Sequence, residues 1–188
     1  PGSASDQYRP GLGFDHLESG GVDVSSAVSD NLSDEAEAAV ANAVVATDDL
    51  GADISSVGAL QDDRFGDAIA AHEDGTLQIN TDNFNTETVR DFYEDGFIAD
   101  DGLYHIAVHE MMHAINKNDP YSDTPLDWRY SDTEDGDELA SGVSGVASQN
   151  PLELVAEVGS MLLRGESVEG DVLDLYHSLG GPEVNGHE

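Results

Sequence analysis

Apolar residues recur at helical spacing over several stretches of this chain and alternate with polar ones over only a few short stretches. The clearest stripe is Ala36, Ala39, Val40, Ala43 and Val44, which predicts a helix within Asp30 to Leu50. Ser33 is its expected cap, Asp34 and Glu35 suit its first turn, and Gly51 follows its end. Ile54 to Leu60 reads as a strand, and Ala68 to His72 with Thr76 to Asn80 as a hairpin turned through Glu73-Asp74-Gly75. Further helices are expected over Thr86 to Glu94, through the apolar run Leu103 to Ile115, from Pro151 to Arg164, and near Asp171 to Leu179. Residues 1–28 are rich in Gly, Ser and Asp and read as an extended or flexible N-terminal arm, leaving 29–188 as the folded domain. Lys117 to Gly142 is acidic, rich in Pro, Asp and Ser, and without a period, the signature of a lid or binding loop. The fold class this predicts is α+β, with a small, mostly antiparallel sheet beside a helical half.

Composition changes the picture in one respect. Hydrophobic residues make up 38% of the 188, enough for a single core, yet 40 Asp and Glu face only 6 Lys and Arg, a formal net charge of -34. The acidic residues are spread among periodic apolar ones, which argues for a folded domain with a solvated acidic surface. Molar salt shortens the screening length to about 3 Å, so a high-salt source, a halophilic organism or its virus, is expected, whether extracellular, virion-associated or in a haloarchaeal cytoplasm. Phosphates would be repelled, and no basic stripe offers counterion release, so direct nucleic-acid binding is not expected. The absence of cysteine removes disulfides, thiolate ligands and thiol catalysis. No apolar run approaches a membrane span. Pro1 in place of Met suits a processed product or an excised domain.

The chemistry concentrates in His109-Glu110-Met111-Met112-His113, an H-E-x-x-H motif inside the apolar run. On a helix, His109 and His113 lie one turn apart and present two imidazoles to one Zn²⁺, with Glu110 beside them as a general base. Catalytic zinc takes three protein ligands, and two residues compete to be the third. Asp119 falls at the spacing of an extended motif, with Asn116 at its glycine position. Glu153 lies about forty residues further on, in Asn150-Pro151-Leu152-Glu153-Leu154-Val155-Ala156-Glu157, where Pro151 marks a helix start and Glu153 and Glu157 share a face. Taken alone, that second stretch also reads as a capping box, Asn150 being the cap and Glu153 reaching back to it.

The pattern N-x-x-E-x-x-A-E after an H-E-x-x-H helix resembles the second zinc-binding helix of gluzincin-type zincin metallopeptidases, a group that includes the anthrax lethal factor catalytic domain and toxin-type peptidase domains of phage head proteins. The resemblance covers roughly Gly102 to Leu163. It implies a zincin-like domain with a helical zinc-binding half, Zn²⁺ on His109, His113 and Glu153, and Glu157 supporting the site from outside. It also implies an antiparallel edge strand for peptide substrate, with Thr76 to Asn80 in that place. Several relatives carry a Tyr seven residues before the ligand Glu as an oxyanion donor; here the residue is Val146, leaving Tyr121 and Tyr130 as candidate replacements. The activity implied is a zinc-dependent endopeptidase acting on peptides or proteins through metal-activated water. The other expectation is an inactive structural domain with virion or toxin-assembly partners.

Other residues carry blander readings. His16, His72, His177 and His187 have no partner at ligand spacing. His105, one turn before His109, reads first as a packed or capping residue and second as a fourth ligand or a support. Met111, Met112 and Met161 read as core.

Overall fold

A computed structural model describes residues 8–60, 68–115 and 135–184. In chain order the elements are α1 (Phe14–Ser19), β1 (Asp23–Val24), α2 (Ser26–Ser29), α3 (Asp34–Asp48), β2 (Ser56–Ala59), β3 (Ala70–Glu73), β4 (Thr76–Ile79), α4 (Thr86–Glu94), α5 (Leu103–Ile115), α6 (Gly136–Val143), α7 (Pro151–Leu163) and α8 (Gly170–Ser178). Helices and a small mixed sheet make an α+β architecture. Among the described residues no helix is long and apolar enough to cross a membrane.

The helix that carries the motif lies at the centre. Leu103, Ile106, Ala107, Val108, Met111, Met112 and Ala114 of α5 are buried, so it is apolar nearly all round, as a helix surrounded by protein must be. It packs against α3 and α7, and β3 lies on it as well. The alanines of α3, buried at 36, 38, 39, 41 and 43, present a smooth surface that lets α5 approach. The starts of the helices are set by local chemistry. Ser33 Oγ accepts from Ala36 N–H, Asn85 Oδ1 from Thr88 N–H, and Asn150 Oδ1 from both Leu152 and Glu153 N–H. Each satisfies backbone donors that the first turn leaves unpaired.

The sheet departs from expectation. Its order is β1-β2-β4-β3, and both β1 with β2 and β2 with β4 are parallel; only the β3–β4 hairpin is antiparallel. The hairpin turns where expected, at Asp74 (φ 49°) and Gly75 (φ 76°), a pair of left-handed residues that suits a two-residue turn. The β1–β2 pairing is parallel because α2 and α3 carry the chain from β1 back to β2, the long crossover that parallel strands require. Thr76–Ile79, expected at the edge, is bonded on both sides, and the edges of the sheet are β1 and β3.

Two further expectations need correction. The extended arm is replaced from Phe14 onward by α1, β1 and α2, with Phe14, Leu17, Val24 and Val28 in the core. Their spacing is too irregular for any one period, because they are divided among three short elements. The loop expected to Gly142 ends earlier, since Gly136–Val143 is helical and buries Ala140. The rest of that loop, with Asp119, Tyr121 and Tyr130, lies outside the described residues.

Candidate metal centre

The contact of α5 with α7 brings together the residues that the two motifs singled out. His109 Nε2 stands 2.9 Å from Glu153 Oε2, His113 Nε2 stands 3.3 Å from the same oxygen, and the two Nε2 atoms are 3.2 Å apart. A tetrahedral ion with ligands at about 2.0–2.1 Å sets its donor atoms about 3.3–3.4 Å apart, so the triangle fits one face of such a site with little adjustment. Donor chemistry points the same way. A neutral imidazole that gives its Nδ1 proton away keeps a lone pair on Nε2, and a carboxylate oxygen only accepts. Three such atoms this close repel unless a cation lies among them.

Burial lowers the pKa of His109, but hydrogen bonds to Glu153 and Glu157 and the charges of Glu153 and Glu110 outweigh it and hold the value well above the usual histidine range. The complementary effect falls on Glu153. Burial raises its pKa, and the hydrogen bonds and charges of His109 and His113 reverse this, leaving it well below the usual carboxylate range. The place a metal would occupy is therefore one where the fold already stabilises positive charge.

Behind this triangle lies a second cluster, built on the other ring nitrogen of His109. Nδ1 is 2.9 Å from Glu157 Oε1, the same oxygen is 3.0 Å from His105 Nε2, and Glu157 Oε2 accepts from Ala99 N–H at 2.9 Å. His105, His109 and Glu157 thus also lie close enough to hold a metal ion. The side chains of His105 and Glu157 are both 0% exposed, whereas those of His113 and Glu153 are 23% and 24% exposed. The inner cluster is also filled, because Glu157 already accepts from two imidazoles and an amide. Its geometry is that of a carboxylate that orients a ligating histidine and fixes its tautomer. The outer triangle is the one that solvent can reach.

Glu110 lines a cleft together with His109 and Glu153. It takes a hydrogen bond from the backbone N–H of His72 on edge strand β3. Burial pushes its carboxyl above the ordinary range, the charges of His109 and His113 and the His72 amide opposing this in part. A base raised in this way is better matched to accepting a proton near neutrality. The cleft has a volume of about 480 Å³ and is bordered by His109, Glu110, Glu153 and Val146. Its remaining wall includes Ile69 of the segment entering β3, Phe92 of α4, and Phe97, Ile98 and Ile106. Backbone hydrogen bonds from Gly145 to Gly96 and from Val146 to Phe97 hold two sides of the cleft together.

Several of these features were not visible beforehand. The Ala99 amide and Phe97 belong to the α4–α5 connection, which carries no motif, and Phe92 to α4. The role of β3 as an edge depends on which strand reaches β4 first. His105 alone left a signal, its one-turn spacing from His109. Of the lone histidines, His187 lies outside the described residues, and His16, His72 and His177 belong to neither cluster. In comparisons with protein-family models, curated proteins and solved structures, the chain matches no family, no curated protein and no solved structure.

Proposed function

We propose that this chain is a zinc-dependent endopeptidase of zincin type, with His109, His113 and Glu153 as metal ligands and Glu110 as general base. The observation that carries this is the convergence of two Nε2 atoms and a carboxylate oxygen within 3.3 Å at the edge of a cleft that Glu110 also borders. Zinc bound there supplies a Lewis acid that acidifies water and polarises a peptide carbonyl. The chain's own residues do the rest. Glu110 takes a proton and returns it to the leaving amine, while Glu157 keeps His109 in the tautomer that presents Nε2. An antiparallel edge strand beside the motif helix supports strand-wise binding of an extended peptide. Ile69, Phe92, Phe97, Ile98 and Ile106 favour an apolar substrate side chain next to the reacting bond. The acidic surface favours action at high salt.

One observation favours a second reading, a zinc-stabilised structural domain such as a virion component. Val146, where relatives carry a hydroxyl donor, stands in the cleft wall and offers the developing oxyanion nothing. Metal analysis of the purified protein with a peptide-library assay at molar salt separates the two. A peptidase carries one zinc per chain and cleaves, and Glu110→Gln keeps the zinc while losing about 10²–10⁴-fold in rate. Zinc-loaded protein that cleaves nothing, with Glu110→Gln indistinguishable from it, makes the site structural.

A further inference from the structure

Burying a histidine completely is costly unless its polar atoms are used. His105 is 0% exposed, and it makes one hydrogen bond among the described residues, from Nε2 to Glu157 Oε1 at 3.0 Å. Its Nδ1 has no partner among them. Were the position only a packing site on α5, an apolar side chain of similar volume would fill it without that penalty. The ring's purpose is therefore to be found at Glu157.

The carboxylate of Glu157 is equally buried, and it has a specific task, to accept the Nδ1 proton of His109 at 2.9 Å. Three side-chain torsions decide where its oxygens lie. The Ala99 amide on the α4–α5 connection fixes Oε2 at 2.9 Å, and His105 fixes Oε1, the oxygen that meets His109. Because His105 and His109 are one turn apart on the same helix, they straddle Glu157 from α5 while Ala99 holds it from the other side. Remove His105 and the carboxylate retains, among the described residues, only one donor besides the ring it is meant to orient.

We propose that His105 is a positioning residue of the metal centre, pinning the Glu157 carboxylate against His109 Nδ1 and so aiming His109 Nε2 at Glu153 and His113. This rests on the outer triangle being the metal site. His105 touches neither substrate nor metal, and its effect is read in how well the site holds an ion of fixed geometry.

The test uses the full chain with His105→Gln, His105→Asn and His105→Leu, the amide of Gln reaching the place of Nε2 and that of Asn the place of Nδ1. Zinc affinity is measured by competition with a chromogenic chelator at molar salt, Co²⁺ is used as a spectroscopic probe of ligand geometry, and metal-free melting reports folding. His105→Leu and His105→Asn should bind zinc about 10–100-fold more weakly, the usual effect of losing an outer partner. Their Co²⁺ visible bands should shift, and His105→Gln should recover most of the affinity and the wild-type spectrum. Equal affinity and identical Co²⁺ spectra in all three variants overturn the proposal, because His105 then only fills space. Binding abolished in all three, as with His109→Ala, also overturns it, because His105 is then itself a ligand. If the Leu variant fails to fold, the Gln and Asn pair still decides, since packing alone predicts no advantage for Gln. Wild-type protein that binds no zinc refutes the metal centre itself, and that arm is read before any variant.

Discussion

Gly159 stands on the face of α7 that meets α5, and a Cβ built there would lie 2.3 Å from Met112 Cε, 2.9 Å from its Sδ and 3.2 Å from its Cγ. Carbon atoms in contact prefer about 3.5–4.0 Å, so the tip of Met112 would have to withdraw by roughly 1.5 Å. Met112 is 0% exposed, so its tip would move against other core side chains. Gly159→Ala therefore combines an overpacking penalty of about 1–3 kcal/mol with a helix-propensity gain of about 1 kcal/mol, a net loss of about 0–2 kcal/mol. Gly159→Val puts two further methyl groups into the same space and should lose about 2–4 kcal/mol.

The functional consequence follows from where the proposed ligands and Glu157 stand. His109 and His113 are on α5, Glu153 and Glu157 are on α7, and a wedge at Gly159 separates the pairs. Binding sites tolerate misplacements of only about 0.5 Å, so Gly159→Val should also weaken zinc binding at least about tenfold. Urea unfolding of the metal-free protein at fixed salt measures the first effect, and chelator competition the second. Met112→Ala alone should cost about 2–5 kcal/mol, but combined with Gly159→Val it should cost less than the sum of the two, by about 1 kcal/mol or more. A Val variant as stable as wild type would refute the packing. One that is destabilised yet binds zinc unchanged would refute the claim that this helix contact sets the ligand spacing.

The choice of third ligand is tested by Glu153→Ala, expected to abolish tight zinc binding, against Asp119→Ala, expected to leave it largely intact; the reverse result would assign the site to the extended-motif family. Asn150→Ala removes the acceptor of two amides at the start of α7 and should lower stability by about 0.5–2 kcal/mol in urea melts; no change would mean that the cap contributes nothing. In metal-free protein the raised His109 pKa stabilises the fold fully below the unfolded value of 6.5 and is lost as pH rises through the folded value, whereas the lowered Glu153 and Glu157 values contribute fully above 4.5 and are lost as pH falls through theirs. Metal-free melting temperature should peak between those two pH values and zinc should shift the optimum upward, so a metal-free peak at alkaline pH would contradict this. Val146→Tyr should raise the rate of peptide hydrolysis only where the chemistry already runs, and an unchanged rate in an active protein would mean that the oxyanion donor lies elsewhere.

How far the sequence carried these conclusions depended on the range of each interaction. Helices set by local periodicity and caps were legible: Thr86–Glu94 lies at its expected bounds, and Ser33 and Asn150 cap as their side chains predict. The hairpin was legible because Asp74-Gly75 states its own turn. Strand order was not, because β1 is two residues long and pairs with β2 across the whole of α2 and α3. No local pattern distinguishes a strand that will be flanked on both sides from one that will be flanked on one.

The candidate metal centre divides along the same line. His109 and His113 needed only the helical repeat. Glu153 fitted a capping box equally well, and the two roles separate only in three dimensions, where Asn150 Oδ1 caps the helix and the Glu153 carboxylate is 2.9 Å from His109 Nε2. His105 shows the limit most clearly. A histidine one turn before a ligand has the same spacing whether it packs, supports or binds. The approach of α7 decides, by placing Glu157 between His105 and His109. What distinguishes a support from a ligand is thus which nitrogen each ring has already committed, a property of the packed pair of helices and of neither sequence segment alone.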